Sequence, residues 1–278
     1  MIRILNKIHA LQWYTVLSTF CSLMYLLKYR KWVKVNYHRD FRAYSFNDNQ
    51  YCFMSLGPGW AYTQQYLEEA ALNTYNYLYK PKIGDCVIDI GAGLGEESMV
   101  YANWVGPSGK VIAIEANPTT FAGLSYAARK NKFNQLLPVN KALYDKEAEL
   151  FIEDDDRNYL TNTVSESDTG GGFKVKANSF DQIILEHKLN SIDFVKVNIE
   201  GAEQYLITGM KDSLDKVKHV CISCHDFRHN YHQHGIFYVT KEKVKKFLMD
   251  NGFEIIERPS FNRVVDDFIY ARNTALLN

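Results

Sequence analysis

The chain reads as a doubly wound α/β domain: a mostly parallel sheet, helices on both faces, and one reversed strand at its end. Three observations predict this. A β-branched run, Val87-Ile88-Asp89-Ile90, feeds into three glycines spaced two apart, Gly91, Gly93 and Gly95, and a helix-like pattern follows. Short apolar strands then alternate with helical stretches almost to the end of the chain. The last two strand-like runs, 253–257 and 268–271, have no helix between them, so they should pair antiparallel at the sheet edge.

Taken in order, residues 1–50 form a leader and 51–278 the main domain. The first 45 residues carry Arg3, Lys7, Lys28, Arg30, Lys31, Lys34, Arg39 and Arg42 against one acid, Asp40. Between Lys7 and Lys28 run twenty uncharged residues. Gln12, Thr15, Thr19 and Ser22 make a polar stripe there, opposite Trp13, Leu17, Phe20, Met24 and Leu27, which describes an amphipathic helix. Three placements stay open for residues 8–34: a helix lying on an anionic membrane face, a single-span anchor with the body cytoplasmic, or a helix packed on the body or on a second copy in a homo-oligomer. No small-residue cleavage site follows, which argues against a secretory signal. Residues 36–60 read as irregular or short-stranded, and 63–79 as a helix ended by Pro81 and Gly84.

Strands are then predicted at 86–90, 110–115 and 136–140, with helices at 96–105 and 118–132. The segment 148–178 departs from this rhythm. Strand-like 149–152 and 173–176 flank a polar loop containing Gly170, Gly171 and Gly172, a hairpin-like excursion expected to rim the site. Alternation resumes with helix 179–187, strand 192–199, helix 202–210, strand 217–224 and helix 240–251.

The glycine turn points to a nucleoside ligand. A dinucleotide fingerprint, G-x-G-x-x-G, holds pyrophosphate at a helix N-terminus. Here the third glycine arrives one residue early, and Glu96 and Glu97 follow. Two carboxylates at that place repel a phosphate and suit a cationic sulfonium, which indicates S-adenosylmethionine. Strand 110–115 ends in Glu115, placed to accept hydrogen bonds from a ribose diol. Ala92, Ala116 and Asn140 join Asp89, the glycines and Glu115 as expected cofactor contacts. An NAD-dependent oxidoreductase shares the acid, so the glycine spacing carries the distinction; a non-catalytic cofactor-binding scaffold is the other alternative.

A second motif, Phe194-Val195-Lys196-Val197-Asn198-Ile199-Glu200-Gly201-Ala202-Glu203, ends the next central strand. Alternation sets Lys196, Asn198 and Glu200 on one face, and strand ends gather at one crevice. A lysine inside a central strand needs an acid beside it, either Glu200 or one on a neighbouring strand. Cys221, Cys224 and the histidines up to His234 invite a zinc reading, but Cys221 and Cys224 point to opposite faces of a strand, so no metal is expected. His225 and Asp226 instead close the strand beside Glu200, with His229, Tyr231, His232 and His234 on a substrate-facing loop.

With these motifs in order, residues 60–272 resemble the FkbM family of S-adenosylmethionine-dependent methyltransferases. The matching stretches are 87–95, 109–118 and 195–203. The resemblance implies a Rossmann-like seven-stranded methyltransferase sheet and methylation of a hydroxyl oxygen on a saccharide or related natural product. It also implies cofactor contacts at Asp89, Gly91, Gly93 and Glu115. The family usually has Asp where this chain has Asn198. The expected base is Glu200 or His225, with Lys196 and Asn198 orienting the acceptor.

Composition narrows the partners. Lys plus Arg equals Asp plus Glu at 32 each, so no global field recruits nucleic acid. Aromatics reach 14%, enough to line a site for sugar or lipid. Five scattered cysteines, an odd number, fit reduced thiols in a cytoplasm.

Overall fold

In a computed structural model the described residues are 2–59, 62–152, 164–165, 172–232, 235–258, 262 and 265–277. The chain opens with helices α1 (Ile2–Ala10) and α2 (Tyr14–Tyr29), then strands β1 (Lys34–His38), β2 (Ala43–Asn47) and β3 (Cys52–Ser55), then α3 (Gln64–Leu72). There follow β4 (Cys86–Ile90), α4 (Glu96–Val105), β5 (Lys110–Ile114), α5 (Pro118–Asn131), β6 (Leu136–Val139), β7 (Ala142–Leu143), β8 (Ala148–Ile152), β9 (Val164–Ser165) and β10 (Phe173–Asn178). The last third holds α6 (Phe180–Glu186), β11 (Ile192–Val197), α7 (Glu203–Thr208), β12 (Val217–Ser223), α8 (Asp226–His232), α9 (Lys241–Asp250), β13 (Phe253–Ile256) and β14 (Phe268–Asn273).

The main sheet has seven strands in the order β13-β14-β12-β11-β4-β5-β6. β11, β12, β4, β5 and β6 run parallel, and β14 runs antiparallel to both β12 and β13. This is the doubly wound sheet with a terminal reversed strand that the alternation predicts. Side-chain alternation divides the core between its two faces. Val87, Val111, Phe194, Cys221 and Tyr270 enter one cluster, while Ile88, Ile112, Val195, Ile222 and Ile269 enter the other. Strands buried on both faces need the unbroken apolar runs seen in the sequence. Local signals set the helix starts: Asn117 caps α5 ahead of Pro118, and Ser179 and Gln182 form a capping box on α6.

A four-stranded sheet, β7-β10-β8-β9, holds the expected excursion, with β10 antiparallel to β8 from Phe173–Ile152 to Ala177–Ala148. Gly170 and Gly171, where a rim was expected, lie outside the described residues.

Three expectations are corrected. The helix expected over 63–79 stops at Leu72, because the carbonyls of Asn73 and Thr74 are taken by Arg258 and the Tyr270 hydroxyl. The loop expected after Asp226 winds into α8, with His229 and Tyr231 on it; His234 lies outside the described residues. The leader differs most. It is two helices broken at Gln12, whose φ is 59°, and α2 buries Leu17 of the apolar stripe together with Ser18, Cys21, Ser22 and Tyr25, while Trp13, Phe20 and Leu27 stay exposed. Ser22 turns inward because its hydroxyl accepts the Val35 amide at 3.0 Å and donates to the Ser18 carbonyl. Cys21, Tyr25, Val33, Phe46 and Phe53 share one cluster with Val87, Met99 and Tyr101 of the main domain. The boundary expected at residue 50 therefore falls between two paired strands, β2 and β3.

Tyr25 ties this region together: its side chain is fully buried and its hydroxyl donates to the Tyr62 carbonyl at 2.7 Å. Tyr25→Ala is expected to lower the unfolding free energy by about 3–5 kcal/mol, the usual effect of removing a buried aromatic ring. Urea denaturation of the full chain measures it, and a loss under 1 kcal/mol would show that α2 is only loosely attached.

Candidate functional site

The carboxyl ends of β4, β5 and β11 meet in one crevice, lined in part by Gly91, Glu115, Ala116, Asn198 and Glu200. β4 ends in a turn that only glycine tolerates. Gly91 has φ 69°, and a Cβ there would stand 1.9 Å from the Asn198 carbonyl oxygen. The turn is also tied to β5, since the Gly91 and Ala92 amides both donate to the Ile114 carbonyl at 3.0 Å. Gly95, with φ 90°, starts α4 against Leu124 and Met99.

Beneath the turn lies a buried ion pair. Lys196 Nζ stands 2.9 Å from Asp89 Oδ1 and donates to the Gly91 carbonyl at 2.8 Å. Ser98 donates to the other Asp89 oxygen at 2.5 Å. Burial alone would lower the lysine pKa, but Asp89, Glu97 and Glu115 around it outweigh that and hold it above its ordinary value. The expectation for these two residues changes accordingly. Asp89 is the neighbouring strand's acid that Lys196 requires, and both side chains are sealed under the turn, so neither faces an acceptor or a ligand.

Glu115 does reach the crevice. Its carboxylate accepts the Gly93 amide at 2.8 Å and the Asn117 amide at 2.8 Å, one on each oxygen. An ionised carboxylate has about four acceptor positions, so two are left for a ribose diol. Burial pushes its pKa up to about 7, against the two amides. Asn140 supports this edge by donating to the carbonyls of Glu115 and Ala116. In the first turn of α4, burial and the neighbouring Glu97 push Glu96 up to about 8, and burial raises Glu97 as well. With Lys196 already committed to Asp89, a cation or hydroxyl donors reaching these buried carboxyl groups would be favoured. The residues present fit S-adenosylmethionine.

At the end of β11, Glu200 adopts φ 54°, a left-handed conformation uncommon outside glycine. It stands between two cations: its Oε2 is 2.7 Å from Arg228 and its Oε1 3.4 Å from His225 Nε2. The imidazole is gripped from behind, with Nδ1 2.9 Å from Glu203 Oε1. Glu203 is fully buried and also accepts from the Gly201 amide and the Thr240 hydroxyl. Burial alone would lower the pKa of His225, but Glu200 and Glu203 push it up to about 9. The imidazole expected as a base therefore carries its proton at pH 7, and it cannot take up another. Sequence reasoning did not assign roles to Glu203, Arg228 or Thr240. Glu203 sits inside the quoted motif and was open to notice; nothing in the chain before Thr240 marks it.

The zinc reading gains nothing from the geometry. Cys221 and Cys224 enter the clusters on opposite faces of the sheet, and among the described residues no group of His, Cys, Asp and Glu side chains converges on a metal.

A glycine turn and a strand-end acid on adjacent parallel strands, in a seven-stranded sheet with a reversed strand, are the features of the S-adenosylmethionine-dependent methyltransferase class. Within it, the chain belongs to the FkbM family: the methyltransferase FkbM domain matches residues 89–255, more than half of its length. This decides the cofactor in favour of S-adenosylmethionine over NAD. The hexuronic acid methyltransferase AglP of Haloferax volcanii is 23% identical over 141 residues, 51% of this chain. That match covers only 56% of the relative's own length. Among solved structures, a methyltransferase FkbM from Methylobacillus flagellatus KT superposes with a TM-score of 0.48 at 15% identity, over 73% of this chain and 50% of that one. The Aeropyrum pernix fibrillarin bound to S-adenosyl-L-methionine superposes with a TM-score of 0.47 at 15% identity, over 87% of this chain and 99% of the other.

Two outcomes follow for this site. Lys196→Met leaves Asp89 buried without a counter-charge, and should destabilise the fold by about 3–5 kcal/mol in urea denaturation. Adding Asp89→Leu should recover much of that loss; equal losses in the single and double variants would show that the pair is not what matters. For Glu115, ligand hydroxyls donate to the ionised form, which in the free protein is half-populated only near pH 7. Affinity for S-adenosylhomocysteine should thus rise severalfold from pH 6 to pH 8 in calorimetry. Glu96 pushes the same way, so Glu115→Gln should flatten the profile in part and weaken binding by about ten- to a hundredfold. An unchanged affinity in Glu115→Gln would remove the ribose role.

Proposed function

We propose that the chain is an O-methyltransferase acting on a hydroxyl of a saccharide, within a surface glycan, a glycolipid or a related natural product, in the cytoplasm. The observation that carries this reading is the position of Asn198 and Glu200, which line the crevice shared with the glycine turn and Glu115. The sugar substrate named for AglP supports the acceptor class. All five cysteines are free, which suits a reducing compartment.

S-adenosylmethionine, when bound, supplies a methyl group already activated on a sulfonium. The chain has to hold the acceptor oxygen in line and provide for its proton. Asn198 can orient the hydroxyl with its amide oxygen as acceptor and its NH2 as donor, and needs no charge to do so. Glu200 accepts the hydroxyl's hydrogen bond and then its proton. His225 cannot be that base, since it is held protonated; it and Arg228 fix the Glu200 carboxylate, while Glu203 and Thr240 fix His225. Arg228 and His225 hold that carboxylate in one orientation. A carboxylate suits a step in which the proton leaves late, after the oxygen has begun to bond.

Transfer of labelled methyl from S-adenosylmethionine to uronic acids, glycan extracts, RNA and protein tests the reading. The label is expected in saccharide as an ether that survives mild base. A base-labile label would mean a carboxylate ester, and labelling of RNA or protein would overturn the acceptor class. Cofactor binding with no transfer to any acceptor would favour a scaffold. Glu200→Gln is expected to lower kcat by about 100-fold or more with cofactor affinity intact.

A further inference from the structure

The outer face of α2 is apolar and largely exposed. Val16, Phe20, Leu23 and Leu27 recur at the spacing of one helical face and are 56%, 39%, 47% and 65% exposed. Trp13 at the helix start is 59% exposed, and Trp32 just beyond its end is 52% exposed. The opposite face of the same helix, through Leu17, Cys21 and Tyr25, is packed into the body. So α2 is apolar on two sides and buries only one of them. Scattered surface leucines need no explanation, but a continuous stripe on a helix does.

The charge on the helix and beside it is predominantly basic. Residues 1–39 contain no Asp or Glu. Lys28, Arg30, Lys31 and Lys34 are exposed at the carboxyl end of α2, and of these Lys31 pairs with Asp48. We infer that this face seats the protein on an anionic lipid surface, with α2 lying in the headgroup plane. Leucine, valine and phenylalanine would enter the acyl boundary, the two tryptophans would sit at headgroup level, and the bases would meet lipid phosphates. Spanning is excluded for this helix: its 16 residues reach only about 24 Å, against roughly 30 Å of hydrocarbon. No helix among the described residues is long and apolar enough to cross. A second copy of the chain fits the stripe less well, because it would bring two basic clusters together while Asp48 is already paired with Lys31. The inference does not depend on which acceptor is methylated, since lipid binding is read without turnover.

Co-sedimentation of the full chain with phosphatidylcholine vesicles, with and without phosphatidylglycerol, tests it. Binding is expected with the anionic lipid and should weaken in high salt. Lys28→Gln with Lys34→Gln should lower partitioning about fivefold per base removed. Leu23→Gln with Leu27→Gln should abolish binding while leaving thermal stability and S-adenosylhomocysteine affinity unchanged, since both side chains are already in water. Absence of binding to anionic vesicles would overturn the proposal. So would unaltered binding in the Leu23→Gln and Leu27→Gln variant, or a dimer in light scattering that this variant dissociates without any vesicle binding by the parent chain.

Discussion

The arrangement of the site depends on the buried pair between Lys196 and Asp89. These two side chains join the central strands β4 and β11 directly below the point where both chains leave the sheet. The ammonium's second hydrogen bond, to the Gly91 carbonyl, carries that constraint into the glycine turn. The close approach of Asn198 to Gly91 then leaves no room for a side chain, so the turn and the β11 end hold each other in place. A pair so deeply buried is weak evidence for stability, because desolvation offsets most of the attraction. Its value here is positional: with one strand's cation and the next strand's anion matched, the two strand ends have one register and one height.

The same pair shapes the electrostatics above it. With Lys196 neutralised by Asp89, Glu115 in the crevice and Glu96 and Glu97 at the start of α4 remain, and burial raises the pKa values of all three. A carboxyl group held near neutrality is costly to ionise alone and gains from a cation or a hydroxyl donor. The β11 end is built on the opposite logic. Glu200 is surrounded by Arg228 and protonated His225, and the left-handed backbone at Glu200 is held by contacts on both sides. Strain of this kind persists where the surroundings over-determine it, and it gathers at functional positions.

The amino-terminal region is not an appendage to this domain. Its helix and three strands complete one of the two cores, so the layer over α4 and α5 is made partly of residues before 56. That explains how α2 can show an apolar face to solvent and stay ordered: the face that holds it is the other one.

Much of this was legible in the sequence. The strand order of events from Cys86 to Ala271, the glycine turn, Glu115 and the reversed final strand follow from local rules: apolar runs of period two, glycines where φ is positive, capping residues, and the absence of a helix between the last strands. Each is a short-range property, and so it survives without knowledge of the fold. Three matters were decided only in the tertiary structure. Lys196 had two candidate acids, and the register of β11 against β4 chose Asp89. His225 was a neutral base in the sequence and became a cation because Glu203, 22 residues earlier, and Glu200 both reach it. The leader's placement stayed open in the sequence, and the face that packs on the body is centred on Leu17, Cys21 and Tyr25, since Ser22 found its hydrogen bonds inside the protein, at Val35 and Ser18. Periodicity tells which residues share a face; only the partners brought by folding tell which face is buried.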